Sequence, residues 1–186
     1  MNVTALRTNP SQNNLQVDAE LLRKFNISGP RYTSYPTADR FVEAFDEAAY
    51  RSWLAKRNVG GVTRSLALYV HLPFCDTICY YCGCNKIVTK DHGRSAKYLK
   101  YLGREIRLQS AELGGRRRVT QMHWGGGTPT FLSVAELTEL MQMIRENFEL
   151  DPHGEYSIEV DPRKVGEDKV ALLGALGMNR ISVGVQ

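Results

Sequence analysis

From Ser65 onward the sequence alternates between apolar runs of strand length and apolar residues at helical spacing, with short connections between them. This alternation restricts the fold more than any other feature. Leu66-Ala67-Leu68-Tyr69-Val70-His71 is a run of β-formers ended by Pro73, the pattern of a buried strand. Leu99, Leu102 and Ile106 predict a helix over 96–113 that stops at Gly114-Gly115. A second strand is expected over 119–124, broken by Gly125-Gly126-Gly127. Ser133 followed three residues on by Glu136 is a capping box that opens a helix running to about Asn147. A third strand over 156–160 ends at Asp161-Pro162, a helix over 167–176 ends at Gly177, and a fourth strand covers 180–185. Such a series requires parallel strands joined by right-handed crossovers, so the chain is α/β, either a barrel or a doubly wound sheet.

The part before this series is different. Residues 1–45 read as a polar arm with little periodicity, in which Arg31-Tyr32-Thr33-Ser34-Tyr35-Pro36 is rich in turn formers and aromatics. A short helix is expected over 42–55. The chain therefore divides into an N-terminal arm with a short helix, 1–60, and four βα units, 61–186. It stops directly after the fourth strand, which predicts an uncovered parallel edge and marks the chain as a segment of a longer protein.

Composition narrows the partners. A net charge of +4 is too small to indicate nucleic acid. Arg116-Arg117-Arg118, the densest basic run, is expected in a solvated loop, with a polyanionic ligand as the other reading. No stretch approaches the roughly 20 apolar residues that span a bilayer, and residues 1–20 carry no apolar signal core. The expectation is a cytoplasmic protein with reduced thiols and no membrane partner.

All four cysteines fall between Cys75 and Cys84, too close together for a disulfide framework and suited to a metal site. In Cys75-x3-Cys79-x2-Cys82, three thiolates on one loop can each hold one iron of a cubane cluster. The fourth iron is then open to a small molecule, which is what reductive cleavage of a sulfonium requires. Zinc is the alternative, with Cys84 or His92 as fourth ligand, but three-then-two spacing on a single loop fits it poorly. Gly125-Gly126-Gly127-Thr128 follows the second strand, and its glycines are expected to let backbone N–H and C=O groups approach a ligand. Glu159 lies near the end of the third strand and Gln186 at the end of the fourth. Functional residues of parallel α/β folds gather at these C-terminal ends.

The cysteine motif with Tyr81 before its third cysteine, together with the Gly-Gly-Gly-Thr-Pro segment, resembles the radical S-adenosylmethionine (SAM) superfamily. Residues 31–37, 69–86, 123–130, 157–163 and 180–186 resemble one family within it, the oxygen-independent coproporphyrinogen III oxidases. The resemblance implies a partial (βα) barrel of the radical SAM type, with parallel strands and an N-terminal arm. It implies a [4Fe–4S] cluster on Cys75, Cys79 and Cys82, and two molecules of SAM. Tyr69, Gly126 and Glu159 would contact the cluster-bound SAM. Tyr81, Gly127, Thr128 and Gln186 would line the second site, and Cys84 would be a further cysteine, not a ligand, needed for activity. The implied reaction is oxidative decarboxylation of two propionates of coproporphyrinogen III to the vinyls of protoporphyrinogen IX, in haem biosynthesis. A separate, unidentified electron donor and a monomeric state are expected. Two readings stand for the arm over 31–36: a cover for the barrel mouth, with Arg31 facing a substrate carboxylate, or a simple packed turn. A haem-binding chaperone of the same superfamily is the alternative; it shares the cluster and the glycine segment but is expected to lack Cys84 and the arm.

Overall fold

The computed structural model describes residues 18–26, 37–56, 64–115 and 117–184. The arm over 31–36, Arg116 and Gln186 lie outside the described residues. The chain divides into two compact units, Met1–Phe45 and Asp46–Gln186. In the first, helix α1 (Ala19–Phe25) is capped by Asp18, whose carboxylate accepts the backbone N–H of Glu20 at 2.8 Å. A short 3-10 turn spans Ala38–Arg40.

The second unit opens with helix α2 (Glu47–Lys56). The helix starts later than sequence periodicity predicts because the Asp46 carboxylate caps it, accepting the N–H of Ala49 at 2.9 Å. Along the rest of the unit run β1 (Leu66–Leu72), β2 (Phe74–Cys75), β3 (Ile87–Val88), α3 (Arg94–Leu113), β4 (Arg118–Gly126), α4 (Val134–Asn147), β5 (Glu149–Val160), α5 (Glu167–Ala175) and β6 (Arg180–Val183). Helix α2 is tied to α3: the Tyr50 hydroxyl donates to Gln109, and Arg51 pairs with Glu112. The boundary between the two compact units falls at Phe45–Asp46.

Four strands form one parallel sheet in the order β1-β4-β5-β6. The spatial order equals the chain order. A doubly wound sheet reverses direction at a switch point, and no reversal occurs among these strands, so the sheet is an arc of the barrel type. Two strands are longer than expected. β4 continues through Gly125 and Gly126, which pair with His71 and Leu72 of β1. β5 begins at Glu149, and its register against β4 shifts between Val119 and Gln121.

Period-two alternation sorts the sheet into two faces. Val70, Leu72, Trp124, Ile158 and Val160 are buried in one core with Leu99, Leu137, Leu140, Ile144 and Leu173 of the helices. The opposite face carries Tyr69, His71, His123, Ser157 and Glu159, in register across β1, β4 and β5. On β6, Ile181 and Val183 are exposed, where their β5 neighbours Ile158 and Val160 are buried. The capping box of α4 is formed in both directions: Glu136 N–H donates to Ser133 Oγ at 3.2 Å, and Ser133 N–H to Glu136 Oε2 at 2.9 Å. Burial pushes Glu136 upward, but bonds from Ser95 and Ser133 outweigh it and hold the carboxyl below its ordinary value.

The basic run is structural where it is described. Arg117 donates to the Gly114 carbonyl. Arg118 opens β4 and pairs with buried Asp151. The Asp151 carboxyl is held below its ordinary value by the His153 N–H, 2.9 Å away, and then by Arg118. A depressed folded-state value contributes stability that is complete above the unfolded value of about 3.9 and is lost as pH falls through the folded one. Asp151→Asn should therefore lower urea stability at pH 7 while flattening the decline between about pH 4 and pH 2. An unchanged acid slope would remove Asp151 from the acid transition.

Candidate functional site

The cysteine loop leaves the end of β1 through Pro73 and is closed at its base by a small parallel ladder between β2 and β3. Ile87 N–H donates to Pro73 O at 2.7 Å and Thr89 N–H to Cys75 O at 2.9 Å. Sequence periodicity missed this ladder because two residues are too few for a period to show. The available signal was the β-branched pair Ile87-Val88 just after the cysteine motif.

The glycine segment packs against the start of that loop. Gly127 N–H donates to Leu72 O at 2.9 Å, Thr128 N–H to Phe74 O at 2.8 Å, and Gly126 N–H to Glu159 Oε2 at 3.2 Å. All three of these N–H groups donate to protein acceptors; the expected approach of the segment's carbonyl groups to a ligand is untouched by these bonds. The glycines are required by the chain itself. A Cβ on Gly127 would sit 2.6 Å from Phe74 O and 2.7 Å from Pro73 O. Gly126 has φ 115°, and a Cβ there would lie 2.6 Å from the His71 ring.

Where loop and segment meet, a cavity of about 290 Å³ opens at the C-terminal ends of the strands, near the lower limit of ligand pockets. Cys75, Cys79, Cys82 and Cys84 line it together with Tyr81, Gly126, Gly127, Thr128 and Glu159. These are nine of the sequence-predicted site residues, drawn from three separate stretches of chain. Lys86 and Asp161, which sequence reasoning did not single out, line it as well. Tyr69 does not line the cavity. It lies on the same sheet face, in the adjoining groove with His123 and Ser157.

Tyr69 is nevertheless tied to the cysteine loop through His71. The His71 Nε2 is 2.8 Å from Asn85 O, and its Nδ1 is 3.1 Å from the Tyr69 hydroxyl. A carbonyl only accepts, so Nε2 carries the hydrogen and Nδ1 accepts from the phenol. Desolvation, then the negative charge of Glu159 and Cys84, raises the Tyr69 phenol above its usual range and keeps it a donor.

The thiols differ in character. Burial pushes the Cys75 thiol up, opposed by the Thr128 hydroxyl 3.6 Å from its sulfur, with Cys82 and Cys79 adding to the rise. Cys82 is lowered, first by the Cys84 backbone N–H and then by the Cys84 side chain and Lys86. Cys84 is raised, by burial and then by Cys82. The ammonium of Lys86 lies 3.4 Å from the Cys82 and Cys84 carbonyls. Sulfur donors of this kind suit an iron–sulfur cluster. Among the described residues, no three His, Cys, Asp or Glu side chains converge on one point; a cubane asks instead for three sulfurs around a shared space, one per iron. His92 does not join this set. Its Nε2 faces Asp76 at 3.2 Å, its Nδ1 faces Phe131 O at 3.2 Å, and its ring stacks on Phe131 with centroids 4.0 Å apart.

Comparison with known proteins agrees with this geometry. Residues 69–186 match the Radical SAM superfamily model. The chain is 49% identical over 176 residues to the oxygen-independent coproporphyrinogen III oxidase of Salmonella typhimurium, covering 95% of this chain and 37% of that protein. It is 48% identical over 145 residues to the protein of the same name from Mannheimia haemolytica, covering 78% of this chain and 96% of that one. Among solved structures, coproporphyrinogen III oxidase (HemN) from Escherichia coli, described as a radical SAM enzyme, superposes with a TM-score of 0.80 at 46% identity, over 90% of this chain and 36% of that one. The chain thus spans little more than a third of the length of most of these relatives.

Because Gly127 lies against two carbonyls, Gly127→Ala should force β1 and β4 apart at the loop and destabilise the protein by about 1–3 kcal/mol. Urea unfolding measures this; an unchanged midpoint would show that the contact relaxes freely.

Proposed function

The chain belongs to the radical SAM superfamily and, within it, to the oxygen-independent coproporphyrinogen III oxidase family, and on that premise we propose that it carries the cofactor half of an enzyme that oxidatively decarboxylates coproporphyrinogen III to protoporphyrinogen IX. The family's cofactors are a [4Fe–4S] cluster and SAM, and when bound they supply one-electron cleavage of the sulfonium to a carbon radical. The observation that supports the reading is the convergence of Cys75, Cys79, Cys82, the glycine segment and Glu159 on one cavity.

In this reading Cys75, Cys79 and Cys82 hold the cluster. The pull of the Cys84 backbone N–H and of Lys86 on Cys82 favours its thiolate, the form that binds iron. Thr128 keeps a hydrogen bond on the Cys75 sulfur. Glu159 and Gly126 face the cluster-bound SAM, with Tyr69 behind them, braced against His71. Tyr81, Gly127, Thr128 and Gln186 serve a second SAM. Cys84 lines the cavity without being a ligand and acts in turnover. As a division by role, residues 1–60 are the N-terminal arm with its short helix and residues 61–186 the first four βα units of the barrel. We place the protein in the cytoplasm as a monomer that takes electrons from a separate donor and has no nucleic-acid or membrane partner. A reducing compartment suits four free cysteines in so short a stretch, and no helix among the described residues is long and apolar enough to cross a membrane.

The test is a chimera in which this segment replaces its counterpart in the full-length Escherichia coli relative, reconstituted anaerobically with iron and sulfide. It should convert coproporphyrinogen III to protoporphyrinogen IX in the presence of SAM and a reductant. Binding of haem without turnover would select the chaperone reading instead. In the same protein, Cys75→Ser, Cys79→Ser and Cys82→Ser should each abolish the cluster's visible absorbance. Cys84→Ser should keep the absorbance and lose turnover; loss of iron there would make Cys84 a ligand.

A further inference from the structure

His123 lies outside the cavity and carries none of the roles above, yet both of its ring nitrogens have partners on β5 and its ring has one on β1. Its Nε2 is 3.3 Å from Glu159 Oε1, and its Nδ1 is 2.7 Å from Ser157 Oγ. The imidazole stacks on the Tyr69 ring, with centroids 5.9 Å apart and planes 15° from parallel. A carboxylate oxygen only accepts, so Nε2 carries the hydrogen and Nδ1 receives the Ser157 hydroxyl. Both ring nitrogens are therefore engaged by β5, and one face of the ring by Tyr69 of β1. The first glycine of the segment makes room for this arrangement: a Cβ on Gly125 would stand 3.0 Å from His123 Nε2 and 3.1 Å from the Glu159 carboxyl carbon.

The consequence falls on Glu159. Its Oε1 accepts from His123 and its Oε2 from the Gly126 N–H at 3.2 Å. The two donors stand on β4, and the carboxylate reaches them from β5, so its plane is fixed across the strand pair. A Glu side chain that is 44% exposed has several rotamers open to it; two donors from one strand select among them. Each carboxylate oxygen keeps a further acceptor site, available to a ligand in the cavity that Glu159 lines.

We propose that His123 is a positioning residue that clamps the Glu159 carboxylate, between an imidazole on one oxygen and the Gly126 amide on the other, in the orientation that receives hydrogen-bond donors of SAM. This rests on the reading of Glu159 as a SAM contact. Ser157 and Tyr69 set the ring, and Gly125 gives the pair its space. The clamp acts on binding through geometry, and His123 itself touches no cofactor.

The test uses the intact holoenzyme containing this segment, anaerobically reconstituted and matched for cluster content, with SAM affinity read by equilibrium dialysis. In His123→Gln an amide N–H stands where Nε2 was and keeps the bond to Glu159. In His123→Asn an amide oxygen can still accept from Ser157, but nothing reaches Glu159. The expected result is near-native affinity for His123→Gln and about tenfold weaker SAM binding for His123→Asn, the scale of a lost hydrogen bond to a charged group. In a Glu159→Gln background, His123→Asn should have no further effect. Equal affinities for the Asn and Gln variants, or additive losses in the double variant, would overturn the clamp while leaving Glu159 in the site. Unchanged affinity in Glu159→Gln alone would overturn the underlying assignment of Glu159, and the clamp with it.

Discussion

The site depends on one backbone contact: the parallel pairing of β1 with β4, carried beyond both strands into the loops that follow. Gly127 and Thr128 donate to Leu72 and Phe74, so the glycine segment and the first cysteine are stitched together by main-chain bonds. Only glycine permits them, since a methyl group at 127 would press on two carbonyl oxygens. Parallel strands bring their C-terminal ends to one edge, and this pairing turns that shared edge into direct contact.

Polar groups on the inner face extend the order inward from the strand ends. Tyr69, His71 and Asn85 connect β1 to the far end of the cysteine loop, while Ser157, His123 and Glu159 connect β5 to β4. The two chains of contacts touch where the Tyr69 and His123 rings stack. On the other face of the same strands the side chains are apolar and buried against the helices. The sheet thus has a dry side that holds it together and a polar side that holds the chemistry.

Most of the fold was legible because its signals are local and repeated. The apolar run at 66–71, the Ser133–Glu136 box and the stop at Gly177 are each set by neighbours in the chain, and each is found in the structure. The cavity-lining residues were legible because residue type and order announce them: three spaced thiols, a triple glycine, a carboxylate at a strand end. Three things were not. The ladder of β2 and β3 was too short to have a period. The start of β5 at Glu149 depends on a register shift that only its neighbour imposes. The parts played by His71 and His123 are tertiary: each histidine alone reads as an ordinary strand residue, and the hydrogen bonds to Asn85, Ser157 and Glu159 reach 14 to 36 positions along the chain. The triple glycine was legible as a close approach of backbone to a ligand, but its close approach to the His71 ring and to the Pro73 and Phe74 carbonyls was not.

The small ladder at the base of the cysteine loop has an entropic consequence. Gathering three thiols from a free chain carries the cost of closing a loop, and in many small metal sites the metal must meet that cost itself, so that binding and folding become one event. Here β2 and β3 close the loop with protein hydrogen bonds alone. The loop that would carry the cluster is therefore closed at its base by main-chain bonds in addition to the metal–sulfur bonds it would make. The entropy of loop closure is in this way shared between protein contacts and metal, in place of falling on the metal alone.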